Sequence, residues 1–431
     1  MSRTVSRTWE AVRYLYTLVL YLLAPAVIGR LLWRGRRNRG YWRRWGERFG
    51  YFQWSEGRKV LWVHAVSVGE VRAAQPLVKE LGRRRPGCPL LVTTTTPTGS
   101  AQVKALFGDS VHHVYLPYDL PGPVRRFLDK IQPELAVIME TELWPNLFAA
   151  CARRAIPVVI ANARLSPRSV EGYRRILPLV RRTLRRTRLI AAQGDEDAQR
   201  FIALGALPEQ VRVTGSIKFD QPMPEGIQEQ ARFLRRQLGV ERPVWVAAST
   251  HQGEEEQVLD GFRLVRKHFP DMLLLLVPRH PERFDRVADL CRRQGFEVVR
   301  RTDGAACSAA TDVFLGDTLG ELLIFYAAAD LAFVGGSLVP VGGHNMLEPA
   351  ALGKPVISGP HLFNFSEIAV AMEKADALCK VEDTDQLAEA VKKLFRSPRL
   401  RQAMGENGHR LVEQNRGALD RLLALLEILY R

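Results

Sequence analysis

Two doubly wound α/β domains are the fold class this sequence predicts, on three observations: a chain too long for one core, apolar runs alternating with helical segments, and a proline-rich break near the middle. At 431 residues and 48.7 kDa the chain exceeds what one hydrophobic core usually supports, so two domains of roughly 180 residues plus appendages are expected. Hydrophobic residues at 46% and charged residues at 25% suit an ordinary folded chain. No repeat or low-complexity stretch argues for disorder. The five cysteines lie far apart with no CxxC spacing, so neither a disulfide framework nor a zinc site is indicated.

The first element is an apolar stretch at 14–29, YLYTLVLYLLAPAVIG. Its 16 residues fall short of the roughly 20 that a spanning helix wants, and Pro25 interrupts it. Counting outward to Trp9 and Trp33 gives aromatic ends with snorkelling Arg13 and Arg30. The segment therefore either crosses a membrane once, with its C-terminal side cytoplasmic, or lies in the interface of an anionic bilayer. A cleaved signal peptide fits less well, because Arg30, Arg34, Arg36, Arg37, Arg39, Arg43, Arg44 and Arg48 follow and no small-residue cleavage site does.

That arginine run also locates part of the formal charge of +16 and pI near 10.0, for which nucleic acid, anionic lipid and phosphorylated substrates all qualify as partners. A position next to an apolar anchor favours an anionic membrane surface. A nucleic-acid-binding protein would interleave aromatic with basic residues on one platform. Here the remaining arginines are spread among helices, so no nucleic-acid partner is expected.

The strands come next. VLWVHAV, PLLVTTTT, ELAVIM, IPVVIA and RLIAA are apolar on both faces and separated by helical segments, as buried parallel strands are. The break at 221–229, QPMPEGIQE, reads as a linker. PVWVAAS, MLLLLVP, FEVVR, DVFLG, DLAFVGG and KPVISG then repeat the pattern. Two such domains make a cleft, and ligands of such sheets sit beyond the carboxyl ends of the strands.

The residues after each run are therefore the candidates. After VLWVHAV, Gly69 permits close backbone approach, and Glu70 is mounted either as a general base or as a helix-dipole partner. After ELAVIM come Glu140, Glu142, Trp144 and Asn146, an acidic and aromatic cluster. Lys218, in GSIKFD before the break, can meet a leaving phosphate or form a surface ion pair.

In the second half, Gly335 with Gly336, and Gly342 with Gly343, allow backbone amides to approach a phosphate. A helix starting near Asn345 would aim its amides at the same anion, and Glu348 in its first turn can accept from a ribose diol or serve the dipole. The turns at 249–255, 278–280 and 316–321 are ordinary turn chemistry singly, and point to one cleft edge together.

The motifs WVHAVSVGE, TTTTPTG, YLPYD, METELWPN, ANARLSPRS, VTGSIKFD, STHQGEE, VPRHPER, GDTLGE, FVGGS and GGHNMLEPAALGKPVISGPH, in that order, resemble the 3-deoxy-D-manno-octulosonic acid (Kdo) transferase family over nearly the whole chain. The resemblance implies a GT-B fold, two Rossmann-like domains facing across a cleft behind an N-terminal anchor. It divides the chain into an anchor with basic flank at 1–40, an acceptor domain at 41–222, a donor domain at 223–405 and a returning C-terminal helix at 406–431.

It further implies a CMP-Kdo donor, a phosphorylated lipid A precursor (lipid IVA) as acceptor, inverting transfer in lipopolysaccharide biosynthesis, and a place on the cytoplasmic side of the inner membrane. Glu70 matches the family's catalytic base, and Glu140 and Lys218 its transition-state stabilisers. Pro278, Arg279, Leu319, Gly320, Glu321, Asn345, Met346, Leu347 and Glu348 match its CMP-contacting segments. No metal and no cofactor are implied. A GT-B transferase or epimerase using a UDP-sugar is the alternative, since the fold alone does not fix the donor.

Overall fold

The computed structural model describes residues 2–37, 39–220 and 223–429. Gln221 and Pro222 of the expected linker, and the side chains of Arg34, Arg37 and Arg39 in the basic run, lie outside the described residues. The chain divides into two compact units, Met1–Asp220 with Arg416–Arg431, and Gln221–Asn415.

The first unit holds a sheet ordered β3-β2-β1-β4-β5-β6-β7, built from β1 (Val60–His64), β2 (Leu90–Thr94), β3 (His112–Tyr115), β4 (Pro133–Met139), β5 (Val158–Ala163), β6 (Leu189–Ala192) and β7 (Val211–Val213). Every pairing among the described residues is parallel. Both faces are covered. Val60 and Trp62 of β1 enter one core with Phe127 and Phe148, and Leu61 and Val63 enter the other with Leu77 and Val78, which is why these strands read as unbroken apolar runs.

Among the described residues, seven α-helices precede β6: α1 (Ser2–Arg37), α2 (Val68–Arg84), α3 (Pro97–Phe107), α4 (Pro121–Ile131), α5 (Pro145–Arg153), α6 (Pro167–Arg174) and α7 (Leu177–Leu184). Helix α1 runs through Pro25 without a break, contrary to the interruption expected there. Proline removes one backbone donor here, and the helix continues on either side of it. The helix Ala418–Glu427 also belongs to this unit. Its Leu422, Leu423 and Leu426 join the α2 side of the core, and the Asp220 carboxylate caps its start by accepting from the amides of Gly417 and Leu419, both at 2.6 Å.

The second unit holds a second parallel sheet ordered β10-β11-β9-β8-β12-β13-β14, from β8 (Val244–Thr250), β9 (Leu273–Pro278), β10 (Val298–Arg300), β11 (Val313–Leu315), β12 (Leu331–Val334), β13 (Val356–Ser358) and β14 (Leu378–Lys380). Trp245, Phe262, Leu274, Phe333 and Leu387 anchor its core. In each sheet the strand order reverses direction beside the unit's first strand, at β1/β4 and at β8/β12. Such switch points open a crevice at the carboxyl ends of the strands, and most of the candidate residues lie there.

Candidate active site

Three segments of the first unit meet at its switch point. Helix α2 begins right after β1, and Glu70 stands in its first turn. One Glu70 oxygen accepts from the Val66 amide at 2.8 Å and the other from the Ser67 hydroxyl at 3.3 Å. Burial pushes this carboxyl up to about 7. The two donors oppose the shift, and the charges of Glu140 and Glu142 add to it.

Glu140 follows β4 with φ of 55°, a left-handed conformation held by its amide bonding to the Ala161 carbonyl at 2.9 Å. Its carboxylate is bound by the Lys218 ammonium at 3.0 Å. Lys218 rides on the short turn Ile217–Phe219, whose first amide donates to the Asn162 side chain at 3.2 Å. Asn162 is itself in a left-handed conformation, φ 53°, inside β5. The structure thus brings Glu70, Glu140 and Lys218 into one cluster, with two backbone outliers at adjacent strand ends supporting it.

Two further residues belong to this cluster: Glu142, from the candidate run after ELAVIM, and Asn162, which was not among the candidates. Glu142 lies near Glu140, and burial followed by that neighbouring charge pushes it up to about 7. Asn162 orients the lysine turn. The only sequence hint for it is an asparagine late in a strand, the residue type that most readily accepts a left-handed conformation. Asn146, by contrast, leaves the acidic cluster. It is buried against α1, where its side chain meets Arg13 at 3.0 Å and Thr17 at 3.1 Å.

In the second unit the glycine turns do not offer their amides to a ligand as expected. The amides of Gly336, Ser337 and Leu338 donate to the buried Glu254 carboxylate at 2.7, 3.0 and 2.9 Å, joined by the His251 amide at 3.2 Å. Glu254 is fully buried, so an internal carboxylate occupies the anion position that these amides create. The amides of Gly342 and Gly343 both donate to the Gly336 carbonyl. A side chain at Gly335 would meet the Glu254 carboxylate at 2.7 Å, which is why glycine stands there. The expected helix starts at Leu347, two residues late, and spans only Leu347–Ala351, with the Leu347 amide bonded to Asn345 Oδ1 at 3.2 Å.

What remains open in this unit lies around Arg279 and Glu348. Arg279 is exposed after β9, its amide bonded to the Thr250 carbonyl at 3.0 Å, and its guanidinium has no hydrogen-bonded partner among the described residues. Glu348 accepts from Asn345 Nδ2 at 3.0 Å, and burial raises its carboxyl while Arg279 opposes the shift.

Met346 and Leu347 are buried in the core, so their side chains serve packing. Pro278 closes β9. Leu319 is 73% exposed beside Gly320, whose φ of 85° favours glycine. Glu321 is held by Arg301 at 2.7 Å and by the Thr318 hydroxyl, so its carboxylate braces the loop. The imidazoles of His251 and His344 stack at 5.1 Å with His280 edge-on at 5.2 Å, and among the described residues no group of three or more His, Cys, Asp or Glu is arranged to hold a metal.

Comparison with known proteins adds a second line of findings. Residues 43–221 match the family model described as 3-Deoxy-D-manno-octulosonic-acid transferase (kdotransferase), and residues 298–411 match Glycosyl transferases group 1. A 3-deoxy-D-manno-octulosonic acid transferase of Haemophilus influenzae is 43% identical over 418 residues, covering 96% of this chain and 98% of that one. One of Bordetella pertussis is 39% identical over 433 residues, covering 96% and 99%. Among solved structures, MurG of Acinetobacter baumannii covers 86% of this chain and 99% of its own at 12% identity, with a TM-score of 0.54, a likeness of fold alone.

Proposed function

The chain belongs to the 3-deoxy-D-manno-octulosonic acid (Kdo) transferase family, and we propose that it moves Kdo from CMP-Kdo onto lipid IVA, a phosphorylated lipid A precursor, with inversion at the anomeric carbon. The observation that carries this reading is Glu70, a carboxyl pushed up to about 7 by burial beside the Glu140–Lys218 ion pair. A group with that pKa is half ionised at neutral pH and matched to taking a proton from a sugar hydroxyl.

In the proposed reaction Glu70 removes the proton of an acceptor hydroxyl. The oxygen attacks the anomeric carbon of Kdo from the face opposite CMP, and the bond from that carbon to the phosphate oxygen breaks. CMP leaves as a phosphate monoester. Lys218, held by Glu140, supplies positive charge as negative charge develops. Arg279 is the anion handle of the donor unit, and Glu348 is placed to accept from a ribose diol. The loop at Leu319, Gly320 and Glu321 and the turn at Asn345 and Met346 shape the nucleotide site through backbone, since their side chains are exposed, buried or already paired. A net charge of +16 suits a phosphorylated acceptor in the anionic cytoplasmic leaflet of the inner membrane.

The test is direct. Purified protein incubated with CMP-Kdo and lipid IVA should yield a product heavier by one or more Kdo residues, and CMP should inhibit where UDP does not. No mass increase, or inhibition by UDP alone, would overturn the assignment of donor and acceptor.

A further inference from the structure

Helix α1 contains a 20-residue window, Val12–Leu31, with a mean hydropathy of 1.6, long and apolar enough by composition to cross a bilayer. The first unit grips the chain at the N-terminal end of that window and again at Arg44, 13 residues past its C-terminal end. At the N-terminal end, Arg13 and Thr17 are buried against the Asn146 side chain, and the Tyr16 hydroxyl donates to Asp119 at 3.0 Å. Asp119 also accepts the amides of Asn146 and Leu147 at 3.0 and 2.7 Å, so the clamp is tied to the start of α5.

Past the C-terminal end, two arginines expected to face a membrane are instead docked on the protein. Arg44 reaches the His113 carbonyl at 2.7 Å and the Ser100 hydroxyl at 3.1 Å. Arg48 is buried, donating to the Thr95 carbonyl at 2.9 Å, while Glu47 accepts the Tyr115 amide at 2.8 Å.

A helix that crossed between Thr17 and Arg44 would put these two clamps on opposite sides of a membrane, yet both grip one globular unit. Crossing between the two clamps is thus excluded.

The helix has two faces to match. Arg13, Thr17 and Gly35 are buried, and Leu20, Ala24, Ile28 and Leu31 are half-buried, a stripe of helical spacing turned toward protein. Tyr14, Leu15, Leu18 and Leu22 are 55–71% exposed on the other side, followed by exposed Val27 and Trp33. Beside α1 a cavity of about 480 Å³ is lined by Arg13, Arg125, Arg153 and Arg154, a basic recess of a size and charge to take a lipid phosphate.

We propose that α1 is a strap lying in one leaflet of an anionic bilayer, its outward apolar face among the acyl chains and the arginine recess beside it at headgroup level, and that it does not cross. The proposal is independent of which sugar is transferred. The full chain with the partly exposed Cys88, Cys307 and Cys379 changed to serine is given either Ser2→Cys or Asp195→Cys, and sealed inverted and right-side-out membrane vesicles are treated with an impermeant maleimide.

The strap predicts that both positions react from the same side in both preparations. Reaction from opposite sides would overturn it. Flotation with phosphatidylcholine and phosphatidylglycerol vesicles checks the lipid face independently of topology. Leu18→Glu with Leu22→Glu, at exposed positions, should weaken vesicle binding more than about tenfold, and pure phosphatidylcholine should weaken wild-type binding similarly. Undiminished flotation of the double variant would show that this face does not meet lipid.

Discussion

Glu70 and Glu254 occupy the same place in their two units. Each stands in the first turn of the helix that follows the unit's first strand, each is preceded by glycine, and each sits at a switch point of strand order. Their surroundings differ completely. Glu254 accepts four backbone amides and is fully buried, so it stitches the turn after β8 to the turn after β12. Glu70 accepts one amide and one hydroxyl, faces two further carboxylates, and has a pKa raised to about 7. One carboxylate holds the fold and the other is kept uncomfortable enough to take a proton.

The largest effect that would sharpen this contrast is on turnover. Glu70→Gln should lower the transfer rate more than about a hundredfold while leaving CMP affinity nearly unchanged in a titration of bound nucleotide. A near-normal rate would remove Glu70 from the role of base.

The same substitution at the partner position should act on stability instead. Glu254→Gln places an NH2 group against amides that already donate, so it should destabilise the second unit by about 2–4 kcal/mol, read in chemical denaturation. If it unfolds at the wild-type denaturant concentration, the amide-filled turn is not what holds that unit together.

A smaller effect has the opposite sign. Because the folded-state pKa of Glu70 lies above its ordinary value of 4.5, the group's contribution to stability is full below that value and is lost as pH rises through about 7. Glu70→Gln escapes the loss, so its Tm should exceed that of wild type above pH 7 by a few degrees and approach it near pH 4.5. A Tm deficit at high pH would mean that the ionised carboxylate is stabilised after all.

How much of this was legible in the sequence follows from burial. The eleven apolar runs foreseen correspond to strands of the two sheets, while β3, β7 and β14 carried no comparable signal. All three are edge strands of three or four residues, and each keeps at least one exposed residue, so two-sided burial did not impose an apolar run on them. The cluster of Glu70, Glu140 and Lys218 was visible because each follows a strand or precedes the break.

Other roles depend on contacts that no local pattern encodes. The glycine turn after β12 reads as an anion site and is one, but its anion is Glu254, 82 residues away in the chain. Asn146 reads as part of an acidic cluster and instead clamps α1 across 129 residues. Arg44 and Arg48 read as membrane-facing charge and are spent on the protein's own carbonyls.

The pH dependence of the single-turnover transfer rate tests the central claim most directly, compared between wild type and Glu142→Gln. With Glu70 as the base, the wild-type rate should climb through an inflection near 7, and losing the neighbouring Glu142 charge should move that inflection to lower pH. A rate flat between about pH 5 and 9, or an inflection indifferent to Glu142, would contradict the account.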